Sequence, residues 1–325
     1  MNNFVTRIPA ARHGGKVQCR KYVDLLVDGN FKLIFSKEKN KPVLINLLNE
    51  FLPDIEVKEV TLIQQERRGR RKELKTGVFD MYCKTSDGRS IVVEVQYNPR
   101  RDYLDRMLYY STWPISEQKK VSAKNYLLNE VYVLSFCNFA LVHDSDWDQR
   151  EGEDEPKIIS SYSIREDGNG ELMTNALHFI YVELGRFRKK EEELGTERDW
   201  CIWCLKNMGS MEEIPRSLSF RKVNELLGIT EVESLPPDER DEYDRNMQNE
   251  LDRLTERRMM EEEHQQALAS AFNEGVTEGE VRGEARGEAN KCREVAKKML
   301  ADGLDINTIA KYTGFSKSEI ELLLN

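Results

Sequence analysis

Two apolar segments joined by a turn constrain this chain more than any other feature, because polar side chains interrupt one face of each segment. Residues 78–84 and 90–96 alternate with the two-residue period of strands, so they predict a β-hairpin. Asp80 falls on one face of the first strand, and Glu94 and Gln96 fall together on one face of the second. An unpaired carboxylate in apolar surroundings is costly, so both acidic groups need a stabilising partner.

The length of the hairpin loop decides whether the two carboxylates can meet. A two-residue turn would place Asp80 opposite Val95, with the carboxylates on opposite faces of the sheet. A three-residue loop, Ser86-Asp87-Gly88, would place Asp80 opposite Glu94, and its third position needs a left-handed residue, which Gly88 supplies. We therefore predict the three-residue loop. Facing carboxylates repel each other unless a cation lies between them, and oxygen ligands favour Mg²⁺ or Mn²⁺.

The periodicity around the hairpin predicts an α/β domain over residues 21–190. Helical spacing of apolar residues indicates helices at residues 31–35 and 43–51 and over 101–118. Apolar, β-rich segments predict strands over residues 57–63, 130–139 and 177–184. Residues 1–20 are polar and irregular, so we expect a flexible N-terminus.

The chain becomes more charged and less apolar after this domain. Residues 191–290 predict a charged helical region, in which glycine recurs every four residues from Gly275 to Gly287. Each glycine costs a helix about 1 kcal/mol relative to alanine, so the repeat indicates either close approach by another helix or a flexible tether, with equal weight. Residues 291–325 have two apolar periodic stretches around Thr313-Gly314-Phe315-Ser316, which predict a small helix-turn-helix-like tail.

Charge is divided unevenly along the chain. The net charge is −9, but residues 1–125 contain 24 Lys and Arg against 15 Asp and Glu, and the remainder contains 25 against 43. A basic first third is the pattern expected of a surface that binds nucleic acid. Its densest part contains Arg67, Arg68, Arg70 and Arg71, which predict either a phosphate clamp beside the hairpin or a solvated loop, with equal weight.

The six cysteines are scattered, and most stand in apolar stretches, which is typical of reduced thiols inside the cell. Cys201 and Cys204 have the spacing of a redox pair or of half a zinc site, but no second pair completes a zinc set. We interpret them as core residues on a helix. No apolar run is long enough to span a membrane, and the N-terminus lacks the apolar core of a signal peptide, so we expect a cytoplasmic protein without a membrane partner.

Asp80, the hairpin and Glu94-Val95-Gln96 together resemble the PD-(D/E)XK nuclease signature, in the variant that has Gln in place of Lys. Several further segments resemble the Rpn family of recombination-promoting nucleases and transposases, namely residues 30–35, 47–52, 109–111, 131–139 and 176–184. The resemblance covers about residues 22–190, and the order and spacing of the segments make it specific. The glycine-repeat helix and the tail resemble segments that are often attached to such domains.

The resemblance implies a restriction-endonuclease-like core, with a central mixed sheet flanked by helices, that cleaves DNA in transposition or recombination of mobile elements. Asp80 and Glu94 would hold Mg²⁺, for which Mn²⁺ substitutes, with the main-chain carbonyl of Val95 as a further ligand. Gln96 takes the place of the lysine that orients or activates the attacking water, and since it carries no charge, water activation would rest more heavily on the metal. An upstream acidic residue often completes such sites, and Asp28 is our first candidate.

Three assignments stay open. Glu50 is the second candidate for the upstream acid. Arg106 and Tyr110 lie four residues apart on the predicted helix after the hairpin. Either both side chains contact DNA phosphate, or the tyrosine packs against other residues and the arginine is exposed. The alternative to an enzyme is a degenerate nuclease core that binds DNA or protein without cleavage. The partner that we expect is DNA, and the C-terminal helices are the candidate contacts of a homo-oligomer.

Overall fold

The structure, a computed structural model, describes residues 20–52, 54–63, 79–118, 125–141 and 157–323. The chain divides into two units, Met1–Leu251 and Asp252–Asn325. Within the described ranges no helix is long and apolar enough to cross a membrane. Two predictions lie outside those ranges, namely the flexible N-terminus before residue 20 and the arginine-rich run after residue 66.

The described part of the first unit is built on a six-stranded mixed sheet. Its strands are β1 (Val60–Leu62), β2 (Met81–Thr85), β3 (Ser90–Gln96), β4 (Val131–Cys137), β5 (Ile159–Ser163) and β6 (Leu177–Glu183), in the spatial order β1-β2-β3-β4-β6-β5. The central strands β3, β4 and β6 are parallel, and the outer strands pair antiparallel. Every residue of β4 is buried, and β3 is buried except at Gln96, as expected of parallel strands covered on both faces.

Helices cover both faces of the sheet. The helices are α1 (Asn30–Phe35), α2 (Lys41–Phe51), α3 (Tyr103–Glu117), α4 (Glu197–Asn207), α5 (Arg221–Ile229), α6 (Pro237–Ala301), α7 (Ile306–Thr313) and α8 (Lys317–Glu321). The larger core joins α1, α2, α4, α5 and the start of α6 to the face that carries Val93 and Val95. The smaller core joins α3 to the opposite face, which carries Val92. The α/β architecture with a central mixed sheet is therefore confirmed.

The hairpin has the predicted loop and register. Met81 pairs with Val93, and the Thr85 amide donates to the Arg89 carbonyl at 3.0 Å, which leaves three residues in the loop. The last of them, Gly88, has a φ of 90°, a conformation that glycine adopts without steric cost. Asp80 immediately precedes β2, and continuing the register places it opposite Glu94.

The core of the first unit also takes side chains from beyond residue 190, where we placed the end of the nuclease domain. Trp200 on α4, Leu226 on α5 and Tyr243 on α6 are buried in the larger core. Cys201 and Cys204 are buried, free thiols on α4, and burial raises the pKa of Cys204 to about 12. The interpretation of these two cysteines as core residues is confirmed.

The C-terminal part of the second unit forms the predicted helix-turn-helix-like tail. Asp305 caps α7 by accepting hydrogen bonds from the amides of Asn307 and Thr308, and Gly314, at a φ of 74°, ends that helix. Ser316 and Glu319 form a capping box that starts α8. The three helices α6, α7 and α8 meet through a small core of Ala296, Ile309 and Ile320.

Candidate active site

Asp80 is fixed at the edge of the hairpin by a backbone hydrogen bond. Its Oδ2 accepts a hydrogen bond from the Val95 amide at 2.6 Å, and Asp80 is the residue directly before β2. The amide and carbonyl of one residue point to the same side of a strand, so the Val95 carbonyl also faces the β2 side. One carboxylate and one main-chain oxygen therefore lie on the same side of β3.

Glu94 is 5% exposed, on the face of the sheet that α3 covers. Its Oε1 accepts a hydrogen bond from Arg106 Nη2 at 2.6 Å. Its Oε2 is buried and has no hydrogen-bond partner among the residues that the structure describes. Buried polar atoms almost always have partners, so this carboxylate oxygen is a candidate contact for a bound ligand.

Burial and mutual repulsion make these carboxylates difficult to ionise without a cation. Burial raises the pKa of Asp80 to about 7, and the charge of Asp28 adds to the rise, whereas the Val95 amide and Arg106 oppose it. Burial and then the charge of Asp80 hold the pKa of Glu94 well above its usual range, with Arg106 opposing. A divalent cation between the two groups would remove this penalty.

Arg106 on α3 reaches into this site. Its Nη2 donates to Gln96 Oε1 as well as to Glu94 Oε1, and Gln96 Nε2 donates to the Asn98 carbonyl at 3.0 Å. Its guanidinium carbon lies 5.4 Å from the ring centroid of Tyr103 and 5.5 Å from that of Tyr110. Arg106 is therefore part of the carboxylate site. The sequence analysis singled out Arg106 together with Tyr110, four residues later, but it did not place Arg106 beside Glu94.

The remaining candidates differ in their distance from the carboxylates. Asp28 is exposed, and its charge raises the pKa of both Asp80 and Glu94, so it lies within electrostatic reach of them. Lys32, which the sequence analysis did not single out, lowers the pKa of Asp80 from the same region. Glu50 instead pairs with Lys222 at 3.6 Å. Tyr110 packs its ring edge-on against Phe79, with centroids 4.9 Å apart.

The donor set fits a hard divalent cation. No cluster of three or more His, Cys, Asp or Glu side chains that could hold a metal occurs in the described part of the chain. Asp80, Glu94 and the Val95 carbonyl supply oxygen atoms alone. Mg²⁺ is commonly held by one or two carboxylates together with waters and substrate phosphates. A site of two carboxylates with an unsatisfied buried oxygen meets that requirement.

Two known families match parts of this chain. Residues 290–325 match the C-terminal helix-turn-helix domain of the Rpn/YhgA-like nuclease family. Residues 25–259 match the family described as PD-(D/E)XK nuclease family transposase. No curated protein and no solved structure matches the chain significantly. Since the second of these family matches spans well over half of the 325 residues, the chain belongs to the PD-(D/E)XK nuclease family transposases.

Proposed function

We propose that this protein is a divalent-metal-dependent DNA endonuclease that acts in transposition or recombination of mobile elements. One observation carries the proposal: Asp80 accepts a hydrogen bond from the amide of Val95, the residue next to Glu94, and the buried Oε2 of Glu94 has no partner among the described residues. Asp80, Glu94 and the Val95 carbonyl would hold Mg²⁺, or Mn²⁺ in its place, and Asp28 is the candidate for a further acidic contact.

The cation and the protein chain would contribute different parts of the chemistry. When bound, the cation would stabilise charge on the scissile phosphate and lower the pKa of a coordinated water. The chain positions both carboxylates on a rigid sheet, and α3 excludes water from the face that carries Glu94. Gln96 stands next to these ligands without a charge of its own, and Arg106 supplies a cation beside it.

A non-catalytic role is the competing function. It is favoured by two observations, the absence of a lysine at position 96 and the engagement of Glu94 Oε1 by Arg106. A plasmid-nicking assay with Mg²⁺, Mn²⁺ or a chelator separates the two functions. The nuclease nicks plasmid only when a metal is present, whereas a non-catalytic protein nicks in no metal. Equal nicking by the wild type and Asp80→Ala, with contaminants excluded, would contradict the assignment.

We assign the main DNA-binding surface to the basic N-terminal half, although the helix-turn-helix match supports a second surface in the tail. Each phosphate that the protein neutralises contributes about 0.9 to the slope of log affinity against log salt. Neutralising the arginine run in the full chain should therefore flatten the slope by up to about 3.6. In the test variant, Gln replaces each of the four residues Arg67, Arg68, Arg70 and Arg71.

The matched control removes four exposed positive charges at the other end of the chain. In this control, Gln replaces each of the residues Lys291, Arg293, Lys297 and Lys298. Both variants are titrated with the same labelled duplex at several salt concentrations. A flattened slope in the C-terminal variant alone would place the phosphate contacts on the tail and contradict this assignment.

We also propose that α6 pairs with a second copy of the chain. The repeated glycines of α6 have no atom within 4 Å of an added Cβ among the described residues, so no intrachain neighbour accounts for them. Helical spacing places Leu268, Phe272 and Val276 on the same face as those glycines, and all three are exposed. The glycines concerned are Gly275, Gly279, Gly283 and Gly287. A partner helix on this face would cover the apolar side chains and approach closely at the glycines.

Two lysines on the glycine face should convert the oligomer to a monomer in light scattering after size exclusion. The test variant carries Gly279→Lys and Gly283→Lys. The control carries Thr277→Lys and Ala285→Lys, which add the same charge on the opposite face of α6. A monomeric wild type, or an equal loss of assembly in both variants, would refute pairing through this face.

A further inference from the structure

We propose that Arg106 supplies, from α3, the positive charge that a lysine at position 96 would otherwise supply, and that Gln96 serves mainly to hold Arg106 in place. This inference rests on the proposed nuclease function. It assigns Arg106 as the charged group of the carboxylate site and Gln96 as its positioning residue, where the sequence analysis had Arg106 either contact DNA phosphate or lie exposed.

The contacts of Gln96 support this division of roles. Its Oε1 accepts from Arg106 Nη2, and its Nε2 donates to the Asn98 carbonyl at 3.0 Å. Both ends of the amide are thus engaged, which fixes its orientation. An amide held in this way orients the guanidinium beside Glu94, and the guanidinium is the group that carries the charge.

The surroundings of Arg106 hold its guanidinium at one place. The rings of Tyr103 and Tyr110 lie on α3 with centroids 5.4 and 5.5 Å from the guanidinium carbon, a distance at which cations and aromatic faces attract. Tyr103 is 2% exposed, and Tyr110 packs against Phe79, so neither ring is free to move away. A planar guanidinium between two rings bridges Glu94 and Gln96 without the loss of rotamer freedom that an exposed side chain would suffer.

Two unsatisfied atoms of opposite character lie in this group of residues. Glu94 Oε2 is a buried acceptor and Arg106 Nε a buried donor, and neither has a hydrogen-bond partner among the residues that the structure describes. Because buried donors and acceptors almost always have partners, both atoms are candidate contacts for a ligand. A cation at the acceptor and a phosphate oxygen at the donor would satisfy both. This pair of atoms distinguishes Arg106 from a purely structural ion-pair partner of Glu94.

Moving the charge from position 106 to position 96 tests the proposal. Single-turnover cleavage of a labelled duplex in Mg²⁺ is measured for the wild type, Arg106→Gln, Gln96→Lys and the double variant. Arg106→Gln should lose about 10²-fold in rate, the loss typical of one electrostatic donor in an active site. The double variant, which has its positive charge in the signature position, should recover at least tenfold over Arg106→Gln. Arg101→Gln, an exposed arginine before α3, is the matched control and should cleave like the wild type.

Thermal unfolding gives a second readout that needs no cleavage. Gln96→Lys places two cations side by side and should lower Tm, and adding Arg106→Gln should restore part of that loss. An active wild type whose Arg106→Gln variant cleaves like Arg101→Gln would overturn the inference alone. A double variant that is folded yet no faster than Arg106→Gln would also overturn it. A wild type that does not cleave in any metal would overturn the proposed function, and this inference with it.

Discussion

Asp80→Asn and Glu94→Gln should each reduce the rate of DNA cleavage by about 10³-fold or more, whereas Gln96→Ala should reduce it far less. The first two changes keep the shape of the side chain. Each removes one negative charge from a site where Asp80, Glu94 and one main-chain carbonyl are the proposed ligands. A metal that stabilises charge at the reacting phosphate contributes several kcal/mol, and each 1.36 kcal/mol corresponds to tenfold in rate. Gln96 contributes no charge, so its removal acts only through the position of Arg106.

The matched control for these variants is Asp105→Asn. Asp105 is an exposed carboxylate on α3, directly before Arg106, so its change removes the same charge close to the site. Rates are compared in single-turnover reactions at saturating Mg²⁺ and repeated at higher metal concentrations. Full activity of Glu94→Gln would exclude Glu94 as a ligand. If a high metal concentration restores cleavage by Asp80→Asn, then Asp80 contributes only to metal affinity.

The hairpin and the central strands could be predicted from sequence because their determinants are local. Gly88 fixes the loop length, the loop length fixes the register, and alternation then assigns every side chain to a face. Strand β5 was not predicted, because Ser160 and Ser161 give it no apolar face and it pairs with β6 alone. Helix α5 lies within the helical region predicted over residues 191–290, although its own bounds were not predicted.

Some residues of the candidate site could be predicted from the sequence, and the contacts of others could not. Asp80, Glu94 and Gln96 were identifiable because they interrupt apolar strands, and that interruption is visible in the residues themselves. The contact between Arg106 and Glu94 depends on how α3 packs across the sheet, which no local spacing determines. Asp28 is near the carboxylates for the same reason, because tertiary folding brings together residues that are distant in sequence. Local patterns thus identified the candidate ligands, and tertiary packing determined the charges around them.

Without metal, Asp80→Asn should be more stable than the wild type at pH 8, by on the order of 2 kcal/mol, and this advantage should shrink toward pH 5. Burial raises the pKa of Asp80 from 3.8 to about 7. A group whose pKa is raised by folding contributes stability that is fully present below its unfolded pKa and is lost as the pH rises through its folded pKa. The wild type therefore loses this stability between about pH 4 and 7, whereas an asparagine, which does not titrate, loses none.

Mg²⁺ should reverse the order of the two proteins. A ligand that binds only the folded state at a hundred times its Kd adds about 2.7 kcal/mol to the free energy of unfolding, which corresponds to several degrees in Tm. The wild type should gain this amount at pH 8, and Asp80→Asn should gain little, because its amide is a poor ligand for a hard cation. Thermal melts in chelator and in Mg²⁺, from pH 5 to pH 8, measure both effects, with Asp105→Asn as the exposed control. A wild type that is more stable than Asp80→Asn at pH 8 in chelator would show that the Asp80 carboxylate is already neutralised within the chain, and the need for a cation at this site would disappear.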